Sequence, residues 1–207
     1  MDVLAITDKA QQALDILRDG DTFQWSTVTL LGLAMYVYAV EVERRRWDII
    51  LAGLAFWLMD WFNELVNSAI FHATDRAPLW TVTGDTSFLI LIGLNIEICL
   101  LFLVSGIVFV KSLPPRGYRV PLIVAFSTFC VVIELFLEWT GYFTWEYWWW
   151  NTATFPVIIV FGYMTFFAIA AWVYDMGTDH RRQLRVVGTV AAIDVALAFG
   201  LGLGGWL

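Results

Sequence analysis

Six carboxyl side chains fall within stretches of otherwise apolar residues: Asp60, Glu64, Glu97, Glu134, Glu138 and Asp194. An ionised group near the centre of a membrane-spanning helix costs about 2.5–3.5 kcal/mol on insertion scales, so such residues mark functional positions by default. Asp60 and Glu64 are four apart, with Asn67 three further on, and Glu134 and Glu138 are also four apart, so each set shares one helix face. Crowded carboxyl groups in a low dielectric do not all ionise. That leaves a protonated acid beside a carboxylate base, the pairing that general acid/base chemistry needs.

Glu134 also opens the stretch ELFLEWTGYFTWEYWWWN, which breaks at Gly141 and then delivers Tyr142, Trp145, Trp148, Trp149 and Trp150 in close succession. Tryptophan faces stabilise a desolvated cation by about 2 kcal/mol. An acid beneath such a lining suits chemistry on an unsaturated lipid: protonate an alkene or epoxide, cradle the cation, then remove a proton or add water. The candidate catalytic residues are Glu134, Glu138, Asp60, Glu64 and Glu97. Asn63, Asn67, Trp61, Trp139, Trp145, Tyr142 and Tyr163 are the candidate substrate contacts. Each group has a plainer reading too, as helix-packing hydrogen bonds for the acids and as an interfacial anchor for the tryptophans.

The elements that position these residues are read from composition. Of 207 residues 60% are hydrophobic and only 15% charged, with a mean hydropathy of +0.72, which is the membrane class. About 20 apolar residues cross a bilayer core. Six segments qualify, near 25–42, 49–71, 86–110, 120–141, 155–174 and 186–206, and the expected fold is a single all-α polytopic bundle. Segment 49–71 carries Asp60, Asn63, Glu64 and Asn67, whose cost about cancels its apolar gain, so it needs polar partners within the bundle. Ahead of the spans, Val3, Ile6, Ala10, Ala13, Leu14 and Leu17 recur at helical spacing among aspartates. They predict a short amphipathic helix within 1–21, lying on the membrane surface or on the bundle.

Arginines set the expected orientation. Arg44, Arg45 and Arg46 follow the first span, Lys111, Arg116 and Arg119 the third, and Arg181, Arg182 and Arg185 the fifth. The positive-inside rule therefore puts both termini and the tryptophan-rich loop on the non-cytoplasmic side of the cell membrane. With segments two and four running in the same direction, their acidic faces are expected to meet across a pocket that opens outward, with Asp60 and Glu97 near mid-membrane. In the last span Gly188, Ala192, Ala196, Gly200 and Gly204 form a small-residue stripe at intervals of four, a pattern that lets helix backbones approach in lipid. Asp194 lies on the opposite face and is expected to turn into the bundle. That leaves the stripe for packing within the bundle or for a homodimer or another membrane partner.

Several functions are excluded. A net charge of −7 argues against a nucleic-acid surface. Lys9 and Lys111 are the only lysines and neither is mid-membrane, so no retinal Schiff base is available. His72 and His180 lie at opposite ends of the spans, which rules out bis-histidine haem and histidine-based di-iron sites, and no Glu-x-x-His pair occurs. Cys99 and Cys130 read as small reduced core residues, and no cofactor or metal is implied.

In general plan, ELFLEWTGYFTWEY resembles small membrane-embedded terpene cyclases and carotenoid cyclases or hydratases, over under a tenth of the chain. The resemblance implies a short helical bundle using intramembrane carboxylates, as a lyase or isomerase. Two other readings stay open: a non-catalytic subunit that docks a partner protein or pigment, and a proton- or cation-coupled transporter.

Overall fold

Apolar runs that no glycine or proline breaks mid-way fold as long helices. A computed structural model of the chain describes residues 6–83 and 87–205. Among the described residues five helical stretches are long and apolar enough to cross a membrane: Trp25–Glu43 (α2), Trp47–Thr74 (α3), Arg116–Thr140, Thr152–Tyr174 and His180–Leu203 (α8). The third of these is a short turn leading into α5, Arg119–Thr140. The fourth is composite, with α6 (Phe155–Val157), a π-helical turn (Ile158–Tyr163) and α7 (Met164–Tyr174). The helix α5 stops where Gly141 takes a left-handed conformation, φ 80°, which a side chain would strain.

The expected span 86–110 is corrected by the structure. Only Ile96–Ser112 (α4) is helical; Leu89–Leu91 (β2) and Leu94–Asn95 (β3) form a tight antiparallel hairpin ahead of it, and Thr86 is outside the described residues. The chain reverses at Ile92 and Gly93. Asn95 then starts the helix, its side chain accepting a hydrogen bond from the Ile98 N–H at 2.7 Å. At about 1.5 Å per residue α4 reaches about 26 Å.

The N-terminal helix is also shorter than 1–21. It covers Asp8–Asp15 (α1), capped by Thr7, and buries Ala10 and Ala13; Val3 is outside the described residues. It rests on the protein: the Thr7 N–H donates to the Arg76 carbonyl at 3.0 Å and the Arg18 N–H to that of Leu89 at 2.9 Å. Beside it Trp80–Val82 (β1) pairs antiparallel with Phe143–Trp145 (β4). Together α1 and the two strand pairs cover one end of the bundle, the aromatic end. At the other end, buried Glu41 bonds Arg46 at 2.5 Å and Lys111 at 2.8 Å, while Asp175 pairs with Arg116 at 3.2 Å and with Arg119.

Helix α3 is the axis, packed by α4, α7 and α8. Its crossing with α4 is backbone to backbone: a Cβ on Gly106 would meet the Gly53 carbonyl oxygen at 2.6 Å. Phe56, Phe102, Phe109, Phe126, Phe166 and Phe167 pack ring on ring, some stacked and most edge to face, between α3, α4, α5 and α7. The helix α5 is held by α7, the π-helical turn and β4, and packs only slightly on α4. On α8 Asp194 is buried, whereas Gly188, Ala192, Ala196, Gly200 and Gly204 are exposed. Nothing lies within 4 Å of a Cβ built on Gly188 or Gly200.

Candidate functional site

Because α4 and α5 part company, a cavity of about 410 Å³ remains between them, backed by α3 and α7. Asp60 and Glu64 reach it from α3, and Glu134 from α5. Asp60 and Glu64 are buried and Glu134 is half-buried, and each leaves one buried oxygen without a partner: Asp60 Oδ2, Glu64 Oε2 and Glu134 Oε2. Among the described residues no lysine, arginine or histidine lines the cavity.

Two donors hold the glutamates. The Trp80 Nε1–H of β1 donates to Glu64 Oε1 at 2.9 Å, and the Tyr163 hydroxyl donates to Glu134 Oε1 at 2.6 Å. Both donors depend on irregular backbone. Asn67 fixes β1, accepting from the Leu79 N–H at 2.7 Å and donating Nδ2–H to the Trp80 carbonyl at 2.8 Å. Tyr163 ends the π-helical turn, and the Asn63 Nδ2–H donates to the Gly162 carbonyl of that turn at 3.2 Å. Such turns inside α-helices are frequent at functional sites.

The aromatic end of the cavity is closed. Trp80 and Trp150 stack there with centroids 5.9 Å apart, beside Gly93 and Phe143. Gly93 fits because it lacks a Cβ, which would lie 2.5 Å from Trp80 Nε1 and 2.6 Å from Glu64 Oε2. The far end is floored by Phe56, Phe126, Phe166 and Phe167. The exposed lining is confined to the side: Leu101, Ser105 and Val108 on α4, and Phe129 and Ile133 on α5. The pocket therefore opens laterally, rather than outward through the aromatic end as the sequence led one to expect.

Of the sequence-derived acids, Asp60, Glu64 and Glu134 share the cavity, and Glu97 and Glu138 do not. Glu97 sits in the first turn of α4, at the end of that helix rather than mid-way, and accepts from Ser26. Glu138 accepts from Thr152 near the end of α5. Asn63 and Tyr163 line the cavity. Asn67 stands behind it as a brace, and Trp61 packs instead on the Leu65, Leu197 and Ala198 side of α3. Trp139, 81% exposed, and Tyr142, 47% exposed, face away from the protein, and Trp145 is buried in β4 outside the lining.

Sequence reasoning missed Trp80, Gly93 and Cys130 as lining residues, and read Trp150 only as one of an interfacial group. Cys130 carried a signal, standing one turn before Glu134 on the same face. Trp80 carried none, since its partner Glu64 belongs to another element. Among the described residues no group of three or more His, Cys, Asp or Glu side chains is placed to hold a metal ion.

The match to a family model covers residues 7–202, and that model describes an uncharacterized membrane protein family. A relative from Archaeoglobus fulgidus, described as an uncharacterized protein, is 41% identical over 209 residues, spanning 97% of this chain and 99% of its own length. No solved structure matches the chain.

Proposed function

The chain belongs to this uncharacterized membrane protein family, and from that premise and its cavity we propose an integral membrane enzyme that performs general acid/base chemistry on an unsaturated lipid such as an isoprenoid. The observation that carries the reading is the gathering of Asp60, Glu64 and Glu134 in one apolar, aromatic-walled cavity, each with an unpartnered oxygen.

In this reading a carboxyl proton is delivered to an alkene carbon, or to an epoxide oxygen whose C–O bond then breaks to leave a hydroxyl, and the carbocation so formed lies among Trp80, Trp150, Phe102 and Tyr163. A neighbouring carboxylate then takes a proton from the adjacent carbon, or directs a water onto the cation. Glu64 and Glu134, each braced by a donor, are assigned as bases, and Asp60 as the acid. The product is a cyclised, isomerised or hydrated lipid, and the enzyme is a lyase or isomerase.

The proposal includes α4 as a sixth crossing and both termini on the non-cytoplasmic side, as the arginine distribution favours. It is tested by expressing the chain in a lipid-producing host and comparing extracts with those from the Asp60→Asn variant. A lipid, sterol or carotenoid species that appears only with the unaltered chain supports it, and identical profiles sink it.

A transporter using the same acids is favoured by one observation, the π-helical turn beside them in an otherwise continuous span. Proton uptake by vesicles holding the purified chain, without any lipid product, would select that reading.

A further inference from the structure

We infer that the lipid enters sideways from the bilayer, between α4 and α5, and that its polar end is a hydroxyl rather than a phosphate or carboxylate. The inference rests on the acid/base reading of the cavity and adds the route and the substrate class. It joins three observations.

The first is where the lining is exposed. Leu101, Ser105 and Val108 recur at helical spacing on one face of α4, and Phe129 and Ile133 on the facing side of α5. These residues frame a slot about 10 Å long, from the rise of about 1.5 Å per residue. The helix α5 is long and apolar enough to cross a membrane, and with α4 as the proposed sixth crossing beside it, what meets the slot is hydrocarbon. Val108 is 50% exposed and Phe129 62%, so the edges of the slot are free to meet a chain.

The second is polarity along the cavity. The carboxyl groups and the indoles of Trp80 and Trp150 lie toward the capped end, while phenylalanines floor the opposite end. An amphipathic guest fits one way round, with its polar end beneath the cap and its chain over the phenylalanines.

The third is the balance of donors and acceptors. Three carboxyl oxygens are buried without partners, and the Nε1–H of Trp150, which lines the same cavity, is buried without one too. A hydroxyl both donates and accepts, so it can serve a carboxyl oxygen and the indole together. A phosphate or carboxylate brings negative charge to three acids with no cationic side chain on the wall, and like charges facing each other are strongly disfavoured.

The experiment uses the full chain in phosphatidylcholine nanodiscs and a diazirine-bearing hexadecanol, with the matching fatty acid and alkyl phosphate as comparison probes. Peptide mapping after irradiation is expected to find the alcohol on residues 98–108 and 126–137. The two anionic probes should label those peptides about tenfold less. Val108→Trp and Ile133→Trp, at exposed positions that tolerate a large side chain, are expected to cut the labelling. Val195→Trp on α8, 69% exposed, should not.

Equal labelling by all three probes, or alcohol labelling that the slot variants leave unchanged, overturns the inference. The acid/base reading fails separately. Slot labelling with unaltered lipid profiles would retire the chemistry and keep the site, and altered lipid profiles without slot labelling would do the reverse.

Discussion

A carboxyl group in an apolar cavity is governed by the few donors that reach it. Glu64 has the Trp80 indole and Glu134 the Tyr163 hydroxyl, and the second oxygen of each is left over. On the proposed chemistry Asp60→Asn, Glu64→Gln and Glu134→Gln each lower turnover by about 10²–10⁴-fold, the usual worth of a positioned acid or base. Glu97→Gln and Glu138→Gln leave it unchanged, because those side chains bond Ser26 and Thr152 outside the cavity. Lipid product per folded protein is the measurement, and equal losses at all five positions would count against the assignment. Tyr163→Phe removes a bond to a charged or polarised partner, worth about 1.5–3 kcal/mol, and lowers turnover correspondingly. Asp60, Glu64 and Glu134 were legible from sequence because charge in a span is conspicuous. Glu138 was conspicuous for the same reason, yet a single helix turn carries it out of the cavity. Periodicity along α5 aligns the two glutamates without saying where the cavity ends. Trp80 was not legible, because what gives it a role is Asn67 holding β1 against α3, a contact between elements.

Among the elements, α3 and α4 meet backbone to backbone. Gly106→Ala puts a methyl group against the Gly53 carbonyl, where neither backbone can give way, and overpacking of this kind costs about 1–3 kcal/mol. A lowered midpoint of thermal unfolding in detergent is expected. Gly32→Ala in α2, where the added methyl meets open space, should keep or raise it. An unchanged Gly106→Ala midpoint would mean that the crossing is looser than its geometry. The long helices were readable from apolar runs, but the hairpin at Leu89–Asn95 was not. Phe88 to Leu94 is as apolar as a helix, and hydropathy alone does not separate a short buried strand from a helical turn. Gly93 was the one local mark of the break. The π-helical turn was not legible either, since the residues that meet it, Asn63 and Trp150, belong to other elements.

At the scale of the whole molecule the two ends differ in kind. One is held by ion pairs around Glu41 and Asp175, and the other by a layer of short strands and α1. The stripe on α8 is exposed between them, and the homodimer that its spacing suggests is open to test. Cysteine introduced at Ala196 should give a disulfide-linked dimer on mild oxidation in membranes. A purely monomeric product would leave the stripe as a lipid-facing surface.

The lateral slot has a kinetic consequence. A site that draws its substrate from the bilayer responds to the mole fraction of that substrate among lipids, not to its amount per volume of buffer. Diluting the membrane with inert phospholipid at fixed total substrate should therefore slow turnover in proportion, whereas enlarging the aqueous volume should leave it alone. The opposite pattern would mean that molecules arrive through water, and that the gap between α4 and α5 is a seam rather than a doorway.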